Sequence, residues 1–201
     1  MPGFYDTLST VLILVRHGRT AANEAGLLQG RLNQDLDEFG QRQAKAVATH
    51  IHRTGEIDAV ISSPLKRAQQ TALEFGLPVE TDDRWAELSY GVYEGVPHAD
   101  VPSEVWQRWR HDFGFVPEGG ESLQTLDDRV RAACDELVER ASRDNIVVVS
   151  HVSPMKSAVA WALEVGIGIS WNCHLDHASV CRIAFRGRHP LLQTFNEVVE
   201  I

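Results

Sequence analysis

The chain has 201 residues, enough for one generous domain that buries roughly two thirds or more of the surface its unfolded form exposes, with no need of disulfide or metal clips. A composition of 43% hydrophobic and 23% charged residues, without low-complexity tracts or solenoid periods, excludes disordered and repeat classes. The formal charge of −9 argues against a general affinity for nucleic acid or an anionic membrane, so any phosphate-bearing ligand must meet a local cationic pocket.

The run Val11-Leu12-Ile13-Leu14-Val15 is continuous and rich in β-branched residues, and it stops at Arg16-His17-Gly18. Such a run predicts a buried strand that delivers Arg16 and His17 at its carboxyl end. It is too short for a signal-peptide core or for a membrane span of about 20 residues. Cys134, Cys173 and Cys181 are odd in number and lack a C-x-x-C spacing, which predicts neither a disulfide framework nor a zinc site and fits a reducing cytoplasm.

Leu36, Phe39, Ala44, Val47, Ala48 and Ile51 follow helical spacing up to a stop near Thr54-Gly55. The segment Asp58-Ala59-Val60-Ile61-Ser62-Ser63-Pro64 predicts another short buried strand. Pro64 then stands where a first helical turn tolerates proline, opening a helix over 65–75. The stretch from Thr81 to Glu121 is rich in Gly, Pro, Trp and Tyr, shows one helical candidate at about Ser103 to His111, and reads as an excursion from the core. Ser122 can cap a long amphipathic helix through Ala141 that leads to a third buried strand, Ile146-Val147-Val148-Val149-Ser150, ending at His151. A helix from about Pro154 to Leu163 and strands at Ser179 to Phe185 and Leu191 to Phe195 complete the chain.

Strands alternating with helices predict an α/β fold, a three-layer α/β/α sandwich around a central, mostly parallel sheet, with residues 1–201 as a single domain and 81–121 lying over the active site. Ligands of such sheets bind beyond the carboxyl ends of the strands. Three predicted strands finish in polar tips, Arg16-His17-Gly18, Ser62-Ser63-Pro64 with Arg67 one turn on, and Ser150-His151. One pocket can gather two histidines and two arginines.

Those residue types suit phosphoryl transfer. A phosphomonoester carries up to two negative charges, and the planar arginine fork meets phosphate oxygens in pairs. One histidine can attack phosphorus through a neutral ring nitrogen while the other, when protonated, holds the equatorial oxygens. A carboxylic acid beside the ester oxygen can then protonate the leaving alkoxide.

The run Leu14 to Thr20, Asn23, Gln29-Gly30, Ser62 to Ala72, the segment from Glu87 through Gly91 to Glu94-Gly95, Gly119-Gly120-Glu121-Ser122 and Ser150-His151 together resemble the histidine phosphatase superfamily, phosphoglycerate mutase-like branch. The resemblance covers about residues 11 to 185. It implies a phosphohistidine intermediate on His17, phosphate binding by Arg16, Asn23, Arg67 and His151, and Glu87 as proton donor and then base. It also implies that Gln29 and Gly30 line the substrate side, and that neither a metal nor another cofactor takes part.

Other readings compete at several positions. Glu94, Asp82, Asp83 and Glu80 are alternative carboxylates to Glu87, with Glu94 better read as structural, and Arg67 can be a solvated helix residue beside Lys66. His177, just before a strand, can face the pocket. The group Trp106, Trp109, Phe113 and Phe115 reads first as packing and second as a wall over the substrate. Against the family pattern, Arg19 replaces a common Glu or Gln, Asn33 a common Asp, and Val152 a frequent Gly, which puts the backbone amide after His151 in doubt.

The resulting expectation is a phosphatase acting on a small phosphorylated metabolite. A phosphoglycerate mutase and a non-catalytic phospho-ligand binding protein are the alternatives. The short Glu94 to Glu121 segment argues for hydrolysis, and retention of His17, Arg67 and Glu87 argues for catalysis. Neither nucleic acid nor membrane is expected as a partner, and assembly into a homo-oligomer stays open.

Overall fold

A computed structural model describes residues 10–201. The first strand, β1 (Val11–Arg16), sends Leu12 and Leu14 to one face of the sheet and Ile13 and Val15 to the other. This alternation along an entirely apolar run requires a cover on both faces. The elements that follow supply it: α1 (Ala21–Glu24), α2 (Glu38–Thr54), β2 (Ala59–Ser62), α3 (Lys66–Leu73), β3 (Val79–Thr81), α4 (Ser103–His111), α5 (Leu123–Ala141), β4 (Ile146–Ser150), α6 (Val152–Ala162), β5 (Val180–Arg186) and β6 (His189–Glu197).

On one face Leu12, Leu14, Ile146 and Val148 bury against Leu126, Val130 and Ala133 of α5 and Met155 and Val159 of α6. On the other, Ile13, Val15, Val147 and Val149 meet Val47 and Ile51 of α2 and Ala68 and Ala72 of α3. The result is the expected three-layer sandwich. The six strands run in the order β3-β2-β4-β1-β5-β6. The pairs from β3 to β1 are parallel, and β5 and β6 add antiparallel to that edge.

Register brings the polar tips abreast. Arg16 lies opposite Ser150 and Ser62 opposite Val149. Beyond the ladder, His17 N donates to Ser150 O and Ser63 N to Val149 O, each at 3.0 Å.

Helix ends differ from the sequence reading in two places. Pro64 does not open α3; Ser63 and Pro64 form the preceding turn, with Leu65 N donating to Ser63 Oγ at 3.3 Å. Leu65 has no side-chain cap to offer, and Asn33 Oδ1, from a distant loop, accepts from Lys66 N at 2.8 Å instead. The other difference is α6, which starts at Val152, so Pro154 falls inside its first turn, where the missing N–H costs nothing. The short α1 and β3 have no counterpart in the periodicity reading, because four and three residues are too few to show a period.

The segment between β3 and α5 holds one α-helix, α4, where expected, among single-turn 3₁₀ elements. It carries a third apolar cluster in which Leu28, Val101 and Trp109 are surrounded by Tyr90, Tyr93, Trp106, Phe115 and Trp171. Gly91 adopts φ +56°, and a Cβ there would stand 2.7 Å from Gly120 N, so the backbones of the two glycine-bearing turns meet directly. Among the described residues no helix is long and apolar enough to cross a membrane.

Candidate active site

β1 and β4 end side by side, and each hands a histidine to the space beyond the sheet. The rings of His17 and His151 lie with centroids 5.0 Å apart, and both residues are almost fully buried. Between them comes Arg67, the second residue of α3, itself only 1% exposed. Its Nε donates to His17 Nε2 at 3.1 Å and to His151 Nδ1 at 3.2 Å.

A guanidinium only donates, so this shared bond fixes both tautomers. His17 Nε2 and His151 Nδ1 carry lone pairs, and the protons lie on the opposite nitrogens. His17 Nδ1–H donates to Gly18 O at 2.6 Å, and His151 Nε2–H donates to Ser63 Oγ at 2.7 Å. Burial first, and the positive charge of Arg67 second, push both imidazoles well below their ordinary pKa. Both rings are therefore neutral at pH 7.

Burial also lowers the guanidinium pKa of Arg16 and of Arg67 to about 10, with Glu87 opposing the shift in each, so both stay charged at neutral pH. Arg16 Nη1 donates to Leu175 O at 2.6 Å, while its buried Nε has no partner among the described residues. The two Nη groups of Arg67 donate to Leu32 O at 2.8 Å and Gly30 O at 2.7 Å. That loop is thereby tied to the histidine pair.

Glu87, 8% exposed, comes to the same place from the 3₁₀ turn that ends at Trp85. Its carboxylate accepts from Leu88 N at 2.7 Å and, at 3.5 Å, from Ser153 N, the second residue of α6 and the neighbour but one of His151. Its carbonyl accepts from Arg31 Nε at 3.3 Å and Arg129 Nη2 at 3.4 Å. Both arginines are in turn bound by Glu121, which takes Arg129 in a two-bond fork at 2.8 and 2.9 Å and Arg31 at 3.2 Å.

Arg16, His17, Arg67, His151 and Glu87 thus converge. Asn23 is less directly engaged: its Oδ1 accepts from Thr20 N and Thr20 Oγ1 at 3.2 and 3.0 Å in the capping box of α1. Thr20 Oγ1 reaches on to Gln29 Oε1 at 3.2 Å, which connects Asn23 with the Gln29-Gly30 loop. Gly30 takes φ +50°, and any side chain there would run into the Glu94 carboxylate.

Glu94 is structural, as read from sequence: its Oε1 accepts from Arg31 N, Tyr90 N and Ser89 Oγ. Arg19 turns to Asp37 at 2.8 Å and to Glu24, and its guanidinium covers the Phe39 ring, so its charge is neutralised locally. His177 lines a depression with Phe39, Gln43 and Val199, and its ring is close enough to His17 and Arg16 to interact with them electrostatically. Val152 has ordinary helical backbone, so no glycine is required after His151.

Ser63 and the Arg31–Glu121–Arg129 clamp are absent from the sequence reading. Ser63 was visible only as part of a polar strand tip. Its bond to a ring 88 positions away leaves no local signal.

The profile of the histidine phosphatase superfamily, branch 1, matches residues 12–198. The chain belongs to that family. A bifunctional protein of Mycobacterium tuberculosis is 39% identical over 178 residues, covering 85% of this chain and 49% of the relative, so the chain spans about half the length of that mycobacterial protein. Phosphoserine phosphatase 1 of Hydrogenobacter thermophilus is 35% identical over 193 residues, covering 92% of this chain and 91% of the relative. A mycobacterial glucosyl-3-phosphoglycerate phosphatase, solved in complex with VO3, superposes with a TM-score of 0.85 at 27% identity, over 94% of this chain and 100% of that one.

Proposed function

We propose that the protein hydrolyses the phosphomonoester of a small metabolite through a phosphohistidine formed on His17. The observation that carries this reading is the orientation of the His17 ring: Nδ1–H is engaged by Gly18 O, and the Nε2 lone pair faces Arg67 and His151. A neutral, tautomer-locked imidazole beside two guanidinium groups is a nucleophile prepared for an anionic electrophile.

In the first step Nε2 of His17 forms a bond to phosphorus as the ester P–O bond breaks. Arg16, Arg67 and Asn23 hold the transferring oxygens, with Arg67 exchanging its bonds to the histidines for bonds to phosphate. His151 joins them, taking the proton of an arriving phosphate monoanion and returning it to the inorganic phosphate that leaves. Glu87 gives its proton to the departing alkoxide. In the second step water attacks the phosphohistidine, Glu87 receives a water proton, and the P–N bond breaks to return neutral His17 and release inorganic phosphate.

Gln29 and Gly30 line the approach to the phosphate. Residues 81–121 form part of the same domain and cover the site from the side of Glu87. None of these steps calls on a metal or other cofactor, and the acidic chain with its unpaired cysteines suits the cytoplasm.

Turnover of 4-nitrophenyl phosphate in the presence of a chelator tests the activity, and acid quenching during turnover of ³²P-labelled substrate tests the intermediate. Label on His17 in the wild type and none in His17→Ala supports the mechanism, whereas turnover without label on His17 refutes it. Transfer of the label to a second hydroxyl of 3-phosphoglycerate, instead of to water, would identify a mutase.

A further inference from the structure

Next to Glu87 the protein encloses a cavity of about 190 Å³. Leu88 and Ser153, whose backbone N–H groups hold the Glu87 carboxylate, are among its lining residues. Whatever leaves from the proton on Glu87 therefore leaves at the mouth of this cavity.

The walls are aromatic. Trp106 stands 5.3 Å from Trp109 and meets Trp171 edge-on at 6.4 Å, and all three line the space. The indole N–H groups of Trp109 and Trp171 are buried behind the ring faces, out of contact with the space, and have no acceptor among the described residues. The remaining charge is a cation. Lys156, half-buried one turn into α6, donates to Ser170 O at 2.8 Å, which uses one of its three N–H bonds. Among the described residues no Asp or Glu lines the cavity.

Flat aromatic walls beside one ammonium group, with no carboxylate among the described lining residues, favour a flat, apolar guest that carries an acceptor. The size agrees, since a cavity of roughly 150 Å³ takes one benzene ring. A three-carbon alcohol such as serine would leave most of the space unfilled and its apolar lining uncovered.

We infer that this cavity is the leaving-group subsite, and that it selects phosphate esters whose alcohol part is a single flat ring bearing a carboxylate or similar acceptor for Lys156. The inference rests on the phosphatase reading. It makes Trp106, Trp171 and Lys156 the residues that decide specificity, and gives the aromatic segment a role in recognition as well as in packing.

The test compares kcat/KM for ethyl phosphate, benzyl phosphate and 4-carboxybenzyl phosphate, all esters of primary alcohols. The wild type is expected to prefer the benzyl ester to ethyl phosphate by about tenfold or more, and the carboxylated ester further still. Trp106→Leu and Trp171→Leu, made separately so that a folding defect in one does not decide the matter, should each cut the ring preference several-fold. Lys156→Met should erase the carboxylate advantage and keep the ring preference. Ethyl phosphate turned over as well as the ring esters by the wild type overturns the subsite and leaves the phosphatase reading intact. Variants that lose all three esters in equal proportion also overturn it. Failure of the wild type to hydrolyse any of them, or 4-nitrophenyl phosphate, overturns both readings together.

Discussion

The Nε–H of Arg67 is shared between His17 Nε2 at 3.1 Å and His151 Nδ1 at 3.2 Å, so a single donor sets the tautomer of both rings. The same guanidinium closes the Gly30–Leu32 loop through two carbonyls. Arg67→Lys keeps the charge but replaces a planar fork with a point donor that cannot span four acceptors. The expected outcome is a fall in kcat/KM of about 10²–10³-fold, the scale of losing one preorganised electrostatic donor. A drop in stability of about 1–3 kcal/mol should accompany it, from the carbonyl left unpaired. Steady-state kinetics and urea unfolding measure the two, and a lysine variant with near wild-type kcat/KM would remove Arg67 from the site.

Ser63 holds the far side of the same pair. With Ser63→Ala, the buried Nε2–H of His151 loses its acceptor, a defect of about 1–3 kcal/mol, and the ring is free to exchange tautomers. The activity should fall about tenfold or more, with substrate KM rising as His151 loses its orientation toward phosphate. Restoration by Ser63→Thr, which returns the hydroxyl, separates this role from simple loss of volume. Nitrogen-15 spectra of the imidazoles read the tautomer directly.

Acid should destabilise the fold earlier than its carboxylates alone would dictate. His17 and His151 are held well below 6.5, and burial together with Arg16 brings His177 down to about 4. Below pH 6.5 the unfolded chain takes up protons at these positions and the folded chain does not. Their contribution is thus fully present above 6.5 and declines as the pH falls, by up to about 1.4 kcal/mol per pH unit for each histidine. For His177 the decline ends near its folded value of about 4. Unfolding free energies at pH 7, 6 and 5 check the slope. A flat profile would mean that the three rings take up protons in the folded chain at the same pH as in the unfolded chain.

The strands that carry the site were legible in the sequence because apolar runs of five and four residues ending in Arg-His or Ser-His leave little choice of element or direction. The convergence of Arg16, His17, Arg67 and His151 followed from parallel register, which the alternation of helices and strands already implies. Glu87 was legible through its spacing to Gly91 within the family pattern, and not from periodicity. What escaped reading depends on contacts between distant segments. Ser63 matters through a ring on another strand, and the cavity beside Glu87 is assembled from residues near 28, 88, 106, 153 and 171, none of which announces the others. The aromatic group around Trp106 was read first as packing and second as a wall over the substrate, and Trp109 with its neighbours does form a third apolar cluster.

Glu87→Gln keeps an oxygen for Leu88 N but has no proton to give. Loss should be severe for esters with poor leaving groups, about 10²–10⁴-fold for an alkyl phosphate, and slight for 4-nitrophenyl phosphate, whose phenolate needs little help. A leaving-group series in the variant should show a steeper dependence of log kcat/KM on alcohol pKa than in the wild type. Parallel lines would move the acid elsewhere, and Glu94 would be the next residue to test.

The Arg31–Glu121–Arg129 clamp makes a sharper version of the same prediction, because it touches Glu87 only through the main chain. Both arginines donate to the Glu87 carbonyl, and Glu121 aligns them both. The guanidinium of Arg129, first through its hydrogen bonds, also holds the Glu121 carboxyl below its ordinary pKa against the cost of burial, so the pair is charged at neutral pH. Glu121→Gln removes the charge and one arm of the fork while keeping the shape. If the clamp positions the acid, the variant should lose about tenfold on alkyl phosphates and much less on 4-nitrophenyl phosphate, a weaker copy of the Glu87→Gln pattern. If the clamp serves stability alone, both substrates will fall together with the folded fraction. The ratio of the two kcat/KM values, measured at a temperature where the variant is fully folded, decides between these outcomes. An unchanged ratio would take Glu121 out of the positioning of Glu87.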